Sequence, residues 1–204
     1  MLQRPAFAAA MMNVLTLSSE IEYRWAVVLA EILEAEAAAG VAMFNAVDNQ
    51  AARGRLLKAA AEKRLPAHYR KQLNNLIQSL DLKLRNLIAH GQWGTCDDDP
   101  DCLILGDGKW ASAAVASLHA TRHGVETALG GLPPKQTVQR YVLDDFVMEA
   151  ERLNAFLERQ IDLTTEFSNY RRVLRDLATR EAIDELRRLS DRNRPAALSD
   201  DGPR

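Results

Sequence analysis

The segment Arg85-Asn86-Leu87-Ile88-Ala89-His90-Gly91 contains the residue types best suited to chemistry in this chain. Histidine is the one side chain that ordinarily titrates near neutral pH, so His90 can move a proton to or from a ribose 2′-hydroxyl or a leaving oxygen. Arginine stays charged at working pH, and the planar donors of Arg85 suit the charge that builds on a phosphate during attack. Together they suggest a site that could cut RNA.

Apolar residues recur at helical spacing before this segment and predict one amphipathic helix from about Ala67 to His90. The members of its core stripe are Tyr69, Leu73, Leu76, Ile77, Leu80, Leu84, Leu87 and Ile88. Gly91 is predicted to stop the helix, because glycine enters the left-handed conformation of a helix end without penalty. The reactive residues would then lie at one end of a long helix.

The spacing also predicts which side chains share a face of this helix. Asp81 and Arg85 are four residues apart and can form an ion pair, and Asn86 and His90 are likewise four apart. Arg85 and His90 lie about 140° apart around an ideal helix, so they do not share a face. One chain therefore presents them on different sides, and a two-fold pairing of motif helices would bring four groups around one cleft.

The spacing of Arg85, Asn86 and His90 resembles the signature of the HEPN superfamily (higher eukaryotes and prokaryotes nucleotide-binding). That signature is an Arg followed by a polar residue, a few more residues and a His. The resemblance covers about Leu73 to Gly94. It implies a HEPN-like helical domain, metal-independent endoribonuclease activity and a homodimer with a composite site. Arg85 and His90 would be catalytic, Asn86 would orient His90 or bind phosphate, and Asp81 would hold Arg85. Many such proteins belong to toxin–antitoxin or antiviral systems, so an antitoxin protein is a possible partner.

Charge is unevenly distributed along the chain, although the formal net charge is only −2. Residues 53–92 carry nine basic and two acidic side chains, whereas residues 93–169 carry six basic and thirteen acidic ones. The motif therefore lies in the basic segment, as binding to a phosphate backbone requires. We take Arg70, Lys71 and Lys83 as weaker candidates for RNA binding.

Composition narrows the other possibilities. No apolar run approaches the roughly 20 residues that cross a bilayer, so we expect no membrane partner. Cys96 and Cys102 enclose an acidic loop without the ligand spacing of a zinc or calcium site, so we expect no metal, and a disulfide between them stays possible. No Gly-rich phosphate loop is present, and we expect no cofactor. Two cysteines do not make a secreted framework, so the cytoplasm is the expected location.

The remaining pattern predicts a mainly α fold, an antiparallel bundle of four or five helices. We expect the first helix to begin near Leu17 with Ser18 or Ser19 as its cap, and Gly40 to end or kink it. A small β-hairpin or sheet is expected between the third and fourth helices, with a short apolar run at Cys102–Leu105 and a strand at Gln139–Val142 that leads into a helix cap at Asp144. Two helices are expected after that cap, and the helical stretch before the motif helix is expected to break before Pro66. The organisation would be a single domain over residues 1–191, with residues 92–143 as an inserted loop and β region, and a disordered tail over residues 192–204.

A rival interpretation accepts the same helical fold but gives it no catalytic function. Arg85 and His90 would then only complement the negative end of their helix, in a non-catalytic dimerisation or interaction module. A nucleotide-binding module that uses the same basic groove is a further alternative.

Overall fold

The structure of the protein is a computed structural model that describes residues 4–96, 99–106 and 138–192. Within them it is mainly helical with a small three-stranded antiparallel sheet, which confirms the predicted fold class at that level. The helices are α1 (Pro5–Leu33), α2 (Ala37–Asn45), α3 (Gln50–Arg64), α4 (Ala67–Ser79), α5 (Lys83–His90) and α6 (Leu143–Arg192). The strands are β1 (Gln92–Cys96), β2 (Asp99–Gly106) and β3 (Val138–Val142).

Helix α1 begins at Pro5, twelve residues before the predicted start near Leu17, because its buried stripe continues upstream through Phe7, Met11 and Val14. Proline suits this place, since the first turn of a helix needs no backbone donor from it. The predicted cap is wrong: Ser18 lies inside the helix and donates to the carbonyl oxygen of Val14 at 2.7 Å.

Gly40 does not end a helix; it lies within α2, where that helix crosses α1. A Cβ atom at Gly40 would lie 2.5 Å from the Cβ of Ala30 and 2.8 Å from the carbonyl oxygen of Ala26. The turn between the two helices falls earlier, at Glu34, whose backbone is left-handed with φ 58°. Glycine is needed at position 40 because the two backbones approach too closely for a side chain.

Packing divides the chain into a first unit that ends at Leu163 and a second that begins at Thr164. In the first unit, Phe7 meets the ring of Phe146 edge-on, and the amide of Gln160 donates to the carbonyl oxygen of Ile21 at 3.2 Å. Both contacts pair residues of α1 and α6 in the same order, so these helices run parallel. This pair differs from the expected antiparallel neighbours, because α2 to α5 and the three strands separate α1 from α6 in the chain.

The second unit contains, in its described part, the C-terminal portion of α6. The sequence predicted two separate helices after Asp144, but α6 is continuous from Leu143 to Arg192. Its large apolar side chains are exposed from Val173 onward: Val173, Leu174, Leu177, Ile183, Leu186 and Leu189. The predicted tail begins at Arg192, and residues 193–204 lie outside the described residues.

The sheet has the order β1-β2-β3, and both pairings are antiparallel. Trp93 of β1, Tyr141 of β3 and Phe146 of α6 form one aromatic cluster, with ring centroids 5.2 to 5.9 Å apart. This cluster fixes the sheet to the helices directly after α5. Cys102 of β2 is buried, and the acidic residues Asp97 and Asp98 lie outside the described residues.

Candidate functional site on helix α5

The predicted motif helix is two helices, separated at Leu80–Leu82. Helix α4 ends at Ser79, Leu80 is extended with ψ 114°, and α5 begins at Lys83. In a continuous helix the carbonyl oxygen of Asp81 would accept from the backbone of Arg85. Here it accepts from Nη2 of Arg152 on α6 instead. The break is a tertiary feature, because it depends on a residue far along the chain.

Asp81 lies two residues before the start of α5. The sequence predicted that it would hold Arg85, but its carboxylate contacts Lys83 instead. Its Oδ1 accepts from the backbone N–H of Lys83 at 2.9 Å, and its Oδ2 lies 3.9 Å from Nζ of Lys83. The predicted ion pair needed four residues of unbroken helix between Asp81 and Arg85, and the break removes that geometry. A carboxylate at this place satisfies a free backbone donor at the start of the helix.

Arg85 and Asn86 are held together on α5. Nη1 of Arg85 donates to Oδ1 of Asn86 over 3.1 Å. The Nε of Arg85 is shielded from solvent and has no hydrogen-bond partner in the described part of the chain. The guanidinium is therefore half-buried, bound to one neutral acceptor and not neutralised by a carboxylate, which leaves its charge available to an anionic ligand.

His90 is the last residue of α5 and is exposed. The backbone after it is fixed, because the Leu87 carbonyl oxygen accepts both from the backbone N–H of Gly91 at 2.7 Å and from Nε1 of Trp93 at 3.0 Å. Gly91 is extended, with φ −77°, so the predicted left-handed stop is wrong. Glycine is required by space: a Cβ there would overlap the Leu87 carbonyl oxygen and would lie 2.5 Å from Cδ1 of Leu105.

The two sides of α5 differ sharply in burial. Leu82 and Ile88 are buried, whereas Lys83, Asn86, Ala89 and His90 are exposed. Asn86 and His90 lie about 40° apart on an ideal helix and so share this exposed face. Arg85 reaches the same face through its hydrogen bond to Asn86. The short side chain of Ala89 leaves open space between the polar groups.

An open groove of 1000 Å³ runs beside α5, between it, β3 and the first part of α6. Lys83, Arg140 and Arg152 line it together with the carboxylates of Asp145 and Glu149, and Tyr141 supplies a phenol. Glu149 pairs with Arg152 at 2.7 Å. Burial, and then the negative charge of Asp145, raise the pKa of Tyr141. Sequence reasoning treated Arg140 and Tyr141 only as part of a strand, and nothing in the local pattern marks Arg152 as their neighbour.

The three predicted RNA-binding cations divide between two places. Lys83 lines the groove beside α5, whereas Arg70 and Lys71 of α4 line a separate polar depression of 500 Å³. His119 and His123 lie outside the described residues.

No protein family, curated protein or solved structure matches this chain. Within residues 4–96, 99–106 and 138–192, no helix combines the length and apolarity needed to cross a bilayer. The same ranges hold no cluster of three or more His, Cys, Asp or Glu side chains arranged to bind a metal ion.

Proposed function

We propose that this protein is a HEPN-type endoribonuclease that cuts single-stranded RNA without a metal ion, using Arg85 and His90. One observation carries the proposal: a guanidinium without a carboxylate partner is tied to the exposed polar face on which His90 also lies. An anionic phosphate is the ligand such a face recognises. Lys83 and Arg140, which line the groove beside α5, add attraction for a nucleic-acid backbone.

The chemistry follows from the properties of each side chain. His90 accepts the proton of the ribose 2′-hydroxyl or gives one to the departing 5′-oxygen. Arg85 stabilises the negative charge on the phosphate during attack, and Asn86 holds the guanidinium toward the open face. The neighbouring 2′-hydroxyl is the nucleophile, so the products carry a 2′,3′-cyclic phosphate and a free 5′-hydroxyl.

The angular separation of Arg85 and His90 favours a homodimer in which two α5 faces form one cleft. The small Ala89 at the centre of the exposed face permits close approach of a second helix. By its resemblance to the HEPN superfamily, we place the protein in a cytoplasmic toxin–antitoxin or antiviral system. A partner protein that silences it would then cover the α5 face.

A non-catalytic interaction module is the second candidate, and the exposed apolar residues of α6 favour it. Six large apolar side chains between Val173 and Leu189 are exposed, which is a feature of partner-binding surfaces. His90 at the end of α5 would then only complement the helix dipole.

The decisive experiment is incubation of the full chain with single-stranded RNA in the presence of EDTA. We expect cleavage that disappears in both Arg85→Ala and His90→Ala while the helix content stays unchanged. His68→Ala is the matched control, because His68 is also exposed but lies on α4. Cleavage that requires a divalent metal, or that persists in His90→Ala, would contradict the proposed roles and favour the second candidate.

A further inference from the structure

Two adjoining depressions lie between α3 and α4, and we call them together the α3/α4 groove. The first has a volume of 390 Å³ and apolar walls that include Trp25, Phe44 and Leu57. The second, of 500 Å³, has mostly polar walls. Lys58 and Gln78 line both, so the two depressions adjoin at these side chains.

Four cations of the α3/α4 groove have no internal partner in the part of the chain that the structure describes. Arg55, Lys58, Arg70 and Lys71 line it, and their side chains make no ion pair or hydrogen bond within the residues that the structure describes. Positive charge that no internal carboxylate balances attracts an anionic ligand.

Arg53, at the same groove, shows the contrast. Its guanidinium lies over the ring of Phe44 at 5.0 Å and 3.5 Å from a carboxylate oxygen of Glu22, and its Nε donates to the Val47 carbonyl oxygen. Arg53 therefore holds the wall of the apolar depression in place. Around the described rim, Glu62 is the other carboxylate. Positive charge prevails along the groove.

The apolar depression stays open because its rim carries small residues. A Cβ at Gly54 would already lie 3.3 Å from Cγ2 of Ile77 on α4, so a larger side chain there would crowd the gap. Ala51, one turn earlier, is exposed at the same rim. Gln50 and Gln78 place amides there, which can both donate and accept. An occupant with a flat apolar body and a polar edge fits these walls.

We propose that the α3/α4 groove binds single-stranded RNA, with one unpaired base in the apolar depression and the neighbouring phosphates along Lys58, Arg70 and Lys71. Apolar contact with a base combined with a cationic track is the usual way in which proteins bind unpaired strands. Leu80 and Leu82 border the apolar depression and directly precede α5, so the depression lies beside the start of the helix that carries the motif. The inference rests on the proposed function, since it gives the substrate of that site a binding track.

The test measures binding separately from cleavage. Full-length His90→Ala protein is titrated with a short fluorescent single-stranded RNA and with the same RNA carrying abasic positions. Ala51→Leu should fill the apolar depression and weaken binding about tenfold, within the range of one lost base contact. Abasic RNA should bind the protein with Ala51 as weakly as intact RNA binds Ala51→Leu. The losses of affinity from the abasic positions and from Ala51→Leu should not be additive.

Arg70→Ala and Lys71→Ala should weaken intact and abasic RNA equally, and each should lower the salt dependence by about 0.7 in the logarithmic slope. Lys63→Ala is the matched control, because Lys63 is exposed on the last turn of α3 and lines neither depression. Circular dichroism verifies that each variant is folded. Lys58→Ala tests the shared wall independently if Ala51→Leu does not fold.

Three results would overturn the inference: equal binding of abasic and intact RNA, unchanged binding by both Arg70→Ala and Lys71→Ala, or tighter binding of duplex than of single strands. Failure of the proposed function looks different. If the variants change RNA binding as expected but the unaltered protein does not cleave RNA, the groove proposal stands and the nuclease proposal is wrong. If the groove variants change neither cleavage nor the affinity for RNA, the nuclease proposal stands and the groove proposal is wrong.

Discussion

Arg85 and Asn86 are hydrogen-bonded to each other at consecutive positions of α5, from Nη1 to Oδ1 over 3.1 Å. Consecutive helix residues point about 100° apart, so this bond turns the guanidinium toward the face of its neighbour. That face is exposed and ends at His90. Asn86 is therefore the residue that connects the two predicted catalytic side chains, through Arg85 on one side and a shared face on the other.

Asn86→Ala should lower kcat/KM for RNA cleavage by about tenfold, the size expected for one hydrogen bond to a charged group. Asn86→Asp keeps an acceptor but adds a charge that competes with phosphate, so we expect it to weaken RNA binding as well. Initial rates and binding titrations separate these effects. Asn154→Ala is the control, because Asn154 makes an exposed side-chain bond to Glu158 on α6. Full activity in Asn86→Ala would show that Arg85 needs no such guide.

Gly91→Ala should destabilise the protein by about 1–3 kcal/mol, because the added methyl group overlaps Leu105 and the Leu87 carbonyl oxygen. Urea titration of the free energy of unfolding measures this. Gly94→Ala is the matched control in β1, since the nearest atom to its added Cβ is the Ile104 carbonyl oxygen at 4.0 Å. A stability loss of equal size in both variants would contradict the close packing at Gly91.

The cleavage products report which nucleophile attacks. Attack by the ribose 2′-hydroxyl leaves a 2′,3′-cyclic phosphate and a 5′-hydroxyl, and DNA, which lacks that group, should resist cutting. Unpaired RNA should be cut faster than duplex, because a duplex holds the backbone away from the in-line geometry. End-labelling of the fragments distinguishes these outcomes. Fragments with 5′-phosphate ends would mean that water is the nucleophile and that the role given to His90 is wrong.

Tyr141 should ionise at higher pH than an exposed tyrosine, because burial and the charge of Asp145 raise its pKa. The unfolded chain then loses this proton first as the pH rises above the ordinary tyrosine pKa of 10.0, so stability falls between that pH and the folded pKa. Tyrosinate absorbance in the folded protein follows the ionisation directly. Asp145→Asn should move the transition back toward lower pH, and no movement would remove Asp145 as a cause.

The protein should be a homodimer at micromolar concentration, with its α5 faces in the interface. Light scattering gives the mass directly. Ala89→Glu should shift the protein toward monomer, because it places two like charges in the closest part of the proposed cleft, and it should reduce cleavage in parallel. A dimer that withstands Ala89→Glu while cleavage continues would place the interface elsewhere.

Several features could be predicted from the sequence because they depend on neighbouring residues. Apolar periodicity indicated a mainly helical chain, and the end of α3 before Pro66 follows from the restricted backbone of the residue before proline. The short apolar run at Cys102–Leu105 lies within β2, and Gln139–Val142 lies within β3. Arg85, Asn86 and His90 were singled out by residue type and spacing alone.

Tertiary contacts decided the rest. Periodicity continues unbroken through Leu80, yet the chain leaves the helix at Leu80–Leu82, where the Asp81 carbonyl oxygen accepts from Arg152. That contact joins residues 71 positions apart, so no local pattern contains it. Consequently Asp81 accepts from the backbone N–H of Lys83 at the start of α5, and the ion pair with Arg85 that the spacing predicted does not form in the described residues.

Gly40 and Gly91 show the same difference between what the local sequence predicts and what tertiary packing determines. The sequence marks Gly40 and Gly91 as places where a helix can stop, because glycine is conformationally free. In the structure both are required by close approach, to α1 at Gly40 and to the Leu87 carbonyl oxygen and Leu105 of β2 at Gly91. Residue type and spacing determined which groups could do chemistry. Only packing between distant segments determined which of them meet, because burial and steric fit depend on neighbours that sequence order does not supply.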